Sequence, residues 1–418
     1  MRQALLLSAL LFVQTILFAQ NICRTSEYKQ QMFMKHPELA SKTASIESFT
    51  QNFLKGNGYK TLGESSTSNG NGIIMIPVVV HILYNSPQQN LSDAQVRSQI
   101  DILNQDYRRL NSDTSNTPAV FKSAAADCGF QFQLAKVDPQ GYATSGIIHK
   151  KTSIQSFGVE DGIKFSSEGG DDGWDKDSYL NIWVGNLNTS ILGYSSVVGG
   201  PKENDGVVVL YTAFGTGGAS IAPFNKGRTT THEIGHWLNL IHTWGDADCG
   251  DDLVDDTPPQ QTSDVGCPQG VIISCNNAPV GNMYQNYMDF TNDACMNLFT
   301  NGQKSRMLAL IQPGGERYAI LSSTALTATP LQNPVTEPIT TSISLYPNPS
   351  TDNITVQLSD DIAIGSQLEI YNGFGQKTAT MTINQSQFQM NVSSFSKGVY
   401  FIKVMNGNCK VMAKLMKL

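Results

Sequence analysis

"TTTHEIGHWLNLIHTW", Thr229 to Trp244, gathers half of the chain's six histidines into one short segment. His232 and His236 are four residues apart, so on a helix both rings project from one face and can grip one ion. Glu233 follows the first histidine, about a third of a turn further around. From there its carboxylate stays out of the ligand set but reaches a water that the ion would hold. His242 lies ten residues beyond His232, which is about 15 Å along an unbroken helix and too far to share the ion. The helix must stop and the chain turn back, and Asn239 stands where that turn is needed. Asparagine is the usual non-glycine residue for a left-handed backbone.

Zinc is the ion that this donor set suits. Imidazole nitrogens bind it well, and a catalytic zinc keeps one position open for water. His232, His236 and His242 are therefore the expected ligands. Glu233 is the expected base, taking a proton from the attacking water and passing it to a leaving amine. Flanking Trp237, Leu238, Leu240 and Trp244 read as core packing.

Outside this segment the chain has the marks of an exported protein. Its 418 residues exceed one ordinary domain. A net charge of −7 with 15% charged residues argues against a nucleic-acid partner. "MRQALLLSALLFVQTILFAQ", residues 1–20, carries one cation, Arg2, then an apolar run from Ala4 to Phe18 that is short for a membrane span and ends at small Ala19. That is the pattern of a cleaved secretory signal. No other segment is long and apolar enough to span a bilayer. Seven cysteines cannot all pair within one chain. Cys249, Cys267, Cys275 and Cys295 crowd just after the histidines and permit three connectivities, whereas Cys23, Cys128 and Cys409 are scattered.

Residues 21–70 read as a pro-segment, helical in "SEYKQQMFMKHPELA" and then a loose joint, "GESSTSNGNG". "IIMIPVVVHILY" is a β-branched run suited to a buried strand. "SDAQVRSQIDILNQDYRRL" opens with a capping box, Ser92 and Gln95, and places Val96, Ile100, Leu103 and Tyr107 on one helical face. "YLNIWVGNL" and "GVVVLYTAF" are further strands. The expectation is an α+β catalytic domain over 71–321 built on one twisted sheet. Residues 322–342 are Thr/Pro-rich and read as a linker. From 343 to 418 short strands alternate with turn residues, the pattern of a small β-sandwich. "GDADCGDDLVDDTPP" holds six aspartates, hard oxygens suited to calcium, although Thr257 stands where an EF-hand would need its closing glutamate.

"HEIGHWLNLIH", with "GRTTTHEIGHWLNLIHTWGDADCGDD" and "NYMDFTNDACMNLFT", resembles the pappalysin family of metzincin zinc metalloproteases, in particular its bacterial cytophagalysin and ulilysin-like members. The resemblance runs from about Ile73 to about Gln312. It implies a protease domain of two subdomains with the substrate cleft between them and the zinc helix on the cleft floor. Met288, in "NYMDF", matches the methionine of the turn beneath the metal. Phe290 stands where many relatives carry a tyrosine, so a phenolic contribution to the transition state is missing. The resemblance further implies the pairs Cys249–Cys275 and Cys267–Cys295. It implies calcium at Asp252, Asp256 and Thr257, and an acid, Asp293, at the base of the S1′ pocket. A carboxylate there favours Lys or Arg immediately after the scissile bond. Cys23, in "NICRTSEY", resembles the pro-segment cysteine that ligates zinc and keeps a zymogen silent.

The segment from Ile343 to Leu418 resembles the sorting domain of type IX secretion cargo, on "SLYPNPSTDNITVQL", "IYNGFGQK", "GVYFIKV" and "CKVMAKLMKL". That implies outer-membrane passage in a Bacteroidetes-type bacterium, through the type IX machinery, then surface attachment or release. The sequence thus reads as a secreted zinc endopeptidase acting on proteins or peptides. The alternatives are a surface adhesin with an inactive protease domain, or a zinc amidase with a narrow target.

Overall fold

The computed structural model describes residues 22–56, 72–188, 190–331, 342–359, 362, 364–406 and 409–418. The expected signal over 1–20 and most of the joint lie outside them. The chain divides into two compact units, through Leu331 and from Gln332 onward.

The first unit opens with a two-residue strand β1 (Ile22–Cys23) and two helices, α1 (Thr25–Lys35) and α2 (Glu38–Lys55), separated at His36 and Pro37. Then follow β2 (Ile74–Tyr84), helix α3 (Asp93–Tyr107), β3 (Phe130–Leu134), β4 (Ile147–Lys151), β5 (Leu180–Gly185), β6 (Ile191–Ser195) and β7 (Val207–Leu210). These seven strands form one sheet in the order β1-β6-β7-β5-β2, with β3 and β4 sharing the far edge of β2. β2 is central and almost wholly buried, as its apolar run, interrupted only by His81, requires. β2, β3, β4, β5 and β7 are mutually parallel, while β6 runs antiparallel to β7. β1 lies on the outer edge of β6 and parallel to it.

Helix α4 (Arg228–Trp237) is buried along its whole length. It packs beside α3, so that Val96, Ile100, Leu103 and Tyr107 share one core with Ile234, Trp237 and the inner residues of β2 and β5. Each fully buried aliphatic side chain there stabilises the fold by roughly 2 kcal/mol. The capping box expected at α3 is only half formed. Ser92 Oγ accepts from the Gln95 N–H, but the Gln95 amide donates to Phe214 O at 2.9 Å, because it is buried and the chain leading toward α4 offers an unpaired carbonyl. A complete box opens α5 (Asn301–Ala309), between Thr300 and Gln303.

From Thr243 to Thr300 regular structure is sparse, the short parallel pair β8 (Val265–Gly266) and β9 (Phe290–Thr291) apart. Of the three connectivities open to the crowded cysteines, the structure holds Cys249–Cys275 and Cys267–Cys295, each with Cα atoms 5.7 Å apart. Such bridges restrict the unfolded chain where little core exists to do so. The stretch expected to be linker from 322 belongs to the first unit up to Leu331. Ala325 is buried against Val79 and Tyr179, and its carbonyl accepts from the Lys136 and Val137 N–H groups.

The second unit consists of two antiparallel sheets. One has three strands, β10 (Ile343–Tyr346), β11 (Asn353–Leu358) and β14 (Gln387–Asn391). The other has four, β12 (Gln367–Asn372), β13 (Lys377–Thr382), β15 (Gly398–Asn406) and β16 (Cys409–Lys417). Ile354 and Val356 of the first share one core with Leu368, Ile370, Ile402 and Leu415 of the second. Among the described residues no helix is long and apolar enough to cross a membrane.

Candidate active site

α4 ends at Trp237, and Asn239 takes the left-handed backbone with φ 69°. The Asn239 N–H returns to His236 O and the Leu240 N–H to Gly235 O, both at 2.9 Å. This reversal carries His242 back toward the helix. Nε2 of His236 then lies 3.1 Å from Nε2 of His232 and 3.0 Å from that of His242, and the third separation is 3.3 Å.

Each ring is oriented by an acceptor at its other nitrogen. His232 Nδ1 meets Tyr287 O at 2.7 Å and His236 Nδ1 meets Leu240 O at 2.9 Å. His242 Nδ1 makes a short contact with an Asp246 carboxylate oxygen. Burial, then the neighbouring imidazoles, hold His232 and His236 well below the ordinary histidine range. Both are neutral at pH 7, with Nδ1 protonated and Nε2 presenting a lone pair. Neutral rings gain nothing from converging lone pairs unless a cation sits among them. Ligands about 2.1 Å from a tetrahedral zinc stand about 3.4 Å apart, close to the separations found. The donor set fits zinc. Cys23 Sγ completes it, since one donor atom from each of Cys23, His232, His236 and His242 lies within 4.8 Å of the others.

Met288 lies under the helix. A Cβ added to Gly235 would stand 2.4 Å from its sulfur, so only glycine lets this turn approach. Phe290 packs its ring against His242 and Trp244, at 4.9 and 4.8 Å between centroids. Glu233 faces β6, where a Cβ on Gly193 would come within 3.0 Å of its Cγ and Oε1. Burial pushes the Glu233 carboxyl up to about 8. Its Oε2 accepts from Thr25 Oγ1 at 2.9 Å, and Oε1 is buried without a partner among the described residues. β1 therefore covers the cluster with residues of the expected pro-segment.

A family model described as pregnancy-associated plasma protein-A matches residues 166–312, which include the whole histidine cluster. An extracellular metalloprotease of Pyricularia oryzae is 33% identical over 251 residues, covering 57% of this chain and 75% of that protein. Another, from Arthroderma otae, is 32% identical over 260 residues and covered to 82%. The chain belongs to the pappalysin family of metzincin zinc metalloproteases. Among solved structures, a promirolysin mutant of Tannerella forsythia is 40% identical, with TM-score 0.64, covering 73% of this chain and 99% of that one. Mature mirolysin of the same organism in complex with a cleaved peptide is 46% identical, with TM-score 0.58, covering 60% of this chain and 96% of that one. A model described as secretion system C-terminal sorting domain matches residues 344–418.

The remaining expected residues of this pappalysin chain lie in two places. Asp293 borders a small cavity beside α4, together with Leu192, Phe224, Thr229, His232 and Cys23. Its Oδ2 accepts from the Lys226 N–H at 2.7 Å and the Arg228 N–H at 3.3 Å. Burial outweighs these bonds and raises its carboxyl to about 6. The Arg228 guanidinium pairs with the Asp106 and Asp113 carboxylates and donates to the Asp293 backbone carbonyl at 2.8 Å. In the aspartate loop both Asp252 oxygens face Thr257 Oγ1 at 2.8 Å, and burial raises Asp252 to about 7. Asp256 turns elsewhere, accepting from the Gly302 N–H at 2.9 Å, with its Oδ1 buried and lacking a partner among the described residues.

Several residues escape the sequence reading. Asp246 orients the third histidine but stands in a run of aspartates that look alike. Gly193 and Thr25 meet Glu233 only through sheet pairing. Glu47 of α2 forms a bidentate pair with buried Arg306, at 2.8 Å for each bond, and the same guanidinium donates to Asn239 O.

Proposed function

We propose that the chain is an endopeptidase whose zinc is held by His232, His236 and His242, with Glu233 as general base and Asp293 selecting Lys or Arg after the scissile bond. The observation that carries this is the convergence of three Nε2 lone pairs beside a buried carboxylate with one free oxygen. Zinc bound there supplies Lewis acidity to the attacking water and the scissile carbonyl. Glu233 removes the proton from that water and delivers it to the leaving nitrogen. Its raised proton affinity suits this double role, since a base works best with a pKa near the working pH. Tyr287 O, Leu240 O and Asp246 hold the imidazoles in the ligating tautomer. Phe290 offers no hydroxyl to the transition state, so a zinc held by the three histidines, together with Glu233, would carry that stabilisation. The free edge of β6, once β1 is gone, offers main-chain groups to an extended peptide.

Before maturation Cys23 serves as the fourth ligand and excludes water, Thr25 occupies Glu233, and α1 and α2 fasten the pro-segment to the unit. Asp252, Asp256 and Thr257 are the residues to hold a structural calcium ion. The second unit delivers the enzyme through the type IX machinery to the cell surface or beyond.

Digestion of a peptide library by the matured enzyme tests the reading. Cuts concentrated before Lys and Arg are expected, with Glu233→Ala losing about a thousandfold in rate. Random residues after the cut would remove the role of Asp293. Unchanged cleavage by Glu233→Ala would remove the assigned base.

A further inference from the structure

On the side of Cys23 away from the Asp293 cavity, α1 carries Tyr28 into a closed chamber. Tyr28 is 1% exposed. Its hydroxyl donates to Asp161 Oδ2 at 2.6 Å. Its ring lies 5.1 Å from that of Tyr194, and Lys164 Nζ stands 4.9 Å from its centroid. The receiving carboxylate is itself fixed, by Lys164 Nζ at 2.8 Å and by Asn204 Nδ2 at 2.6 Å. Phe157, Ile163 and Trp183 belong to the surrounding apolar cluster. Asp161 has φ 69°, a left-handed conformation that costs a non-glycine residue energy and recurs at binding sites. A buried ion pair is weak ground for stability. Asp161 accepts the Tyr28 hydroxyl closely at Oδ2 and the Tyr194 hydroxyl at 3.5 Å on Oδ1, so the pair has the form of a recognition element for a phenol.

All of the surrounding cluster except Tyr28, Met32, Phe33 and Leu39 comes from residues beyond the joint, so its walls stay when the pro-segment leaves. β6 fixes where it lies. Cys23 pairs with Gly193; Leu192 on one side borders the Asp293 cavity, and Tyr194 on the other walls the chamber. An extended substrate that pairs antiparallel to β6, the reverse of the direction β1 takes, with its first residue after the cut over Asp293, runs its preceding residues toward Tyr194.

Resting on the peptidase reading above, we infer that the Tyr28 chamber becomes, in the matured enzyme, a substrate subsite that selects a tyrosine side chain on the amino-terminal side of the scissile bond. Tyr28 is then the pro-segment's own occupant of that subsite. Asp161 accepts the phenol, Lys164 and Asn204 hold the carboxylate in place, and Tyr194 packs against the ring.

The test uses matured enzyme made from the full chain and synthetic peptides with Arg fixed after the cut. Tyr, Phe, Leu or Ala is placed in turn at each position before it. At one position Tyr is expected to exceed Phe by about tenfold in kcat/KM, the worth of a hydrogen bond to a charged acceptor, and Ala by more. Asp161→Asn is expected to erase the Tyr-over-Phe ratio while the preference for Arg persists. If that variant fails to fold, the peptide series alone decides. Equal rates for Tyr, Phe, Leu and Ala at every position, with Arg still required, would overturn the subsite and leave the peptidase reading standing. No cleavage of any peptide would remove both.

Discussion

Thr25 Oγ1 donates to Glu233 Oε2 at 2.9 Å while accepting from the Ser195 N–H at 2.8 Å. A hydroxyl of the expected pro-segment is thereby tied at once to the assigned base and to β6 beside it, and Cys23 Sγ contacts the same Glu233 oxygen at 3.5 Å. The proposed latency rests on these two side chains. Cys23→Ala should give an unprocessed chain that cleaves peptide and matures faster, because a thiolate ligand is lost. Thr25→Val should do so more weakly, having left the metal's fourth ligand in place. Peptide hydrolysis and the rate of size reduction on a gel read both. A Cys23→Ala chain as silent as the parent would contradict the switch.

Gly193 and Glu233 set a second expectation. A methyl group at 193 would sit 3.0 Å from Glu233 Cγ and 2.8 Å from Val208 O, so neither the base nor the strand can stay where it is. Gly193→Ala should lower kcat/KM about a hundredfold, the effect of a misplacement of about 1 Å at a reacting centre. Zinc content should be unaffected. Loss of zinc together with activity would point to collapse of the helix instead.

Asp246 makes a third. It is the only carboxylate among the acceptors that orient the three rings. Asp246→Ala should weaken zinc binding between about tenfold and a hundredfold, the usual effect of removing a partner behind a ligand. A chelator competition titration measures this directly. Unchanged affinity would show that His242 is oriented without it.

A fourth concerns pH. Asp293 is held near 6 by burial, with the Lys226 and Arg228 N–H groups opposing. Its carboxyl is neutral below that value and charged above it. Preference for Lys or Arg over Leu after the cut should therefore rise as pH passes upward through about 6. The ratio of kcat/KM for paired peptides measured from acid to neutral pH checks the sign. A flat or falling ratio would place the determinant elsewhere.

What the sequence discloses here depends on distance along the chain. The histidines, Glu233 and the left-handed Asn239 are legible because helical spacing and one backbone preference relate them. The α3 face of Val96, Ile100, Leu103 and Tyr107 is legible for the same reason. The Gln95 half of the capping box is not, since a carbonyl at Phe214, 119 residues away, outcompetes the local partner. The boundary placed at 322 fails because composition cannot show that Ala325 fits against Val79 and Tyr179. Tyr28 with Asp161 and Glu47 with Arg306, separated by 133 and 259 residues, carry no local signal.

X-ray absorption at the zinc edge, on the full chain and on the matured enzyme, reads the ligand set before and after processing. Three imidazole nitrogens and one sulfur at about 2.3 Å are expected in the full chain, with the sulfur replaced by oxygen after maturation. A site with fewer than three imidazoles, or one without sulfur before processing, would contradict that ligand set.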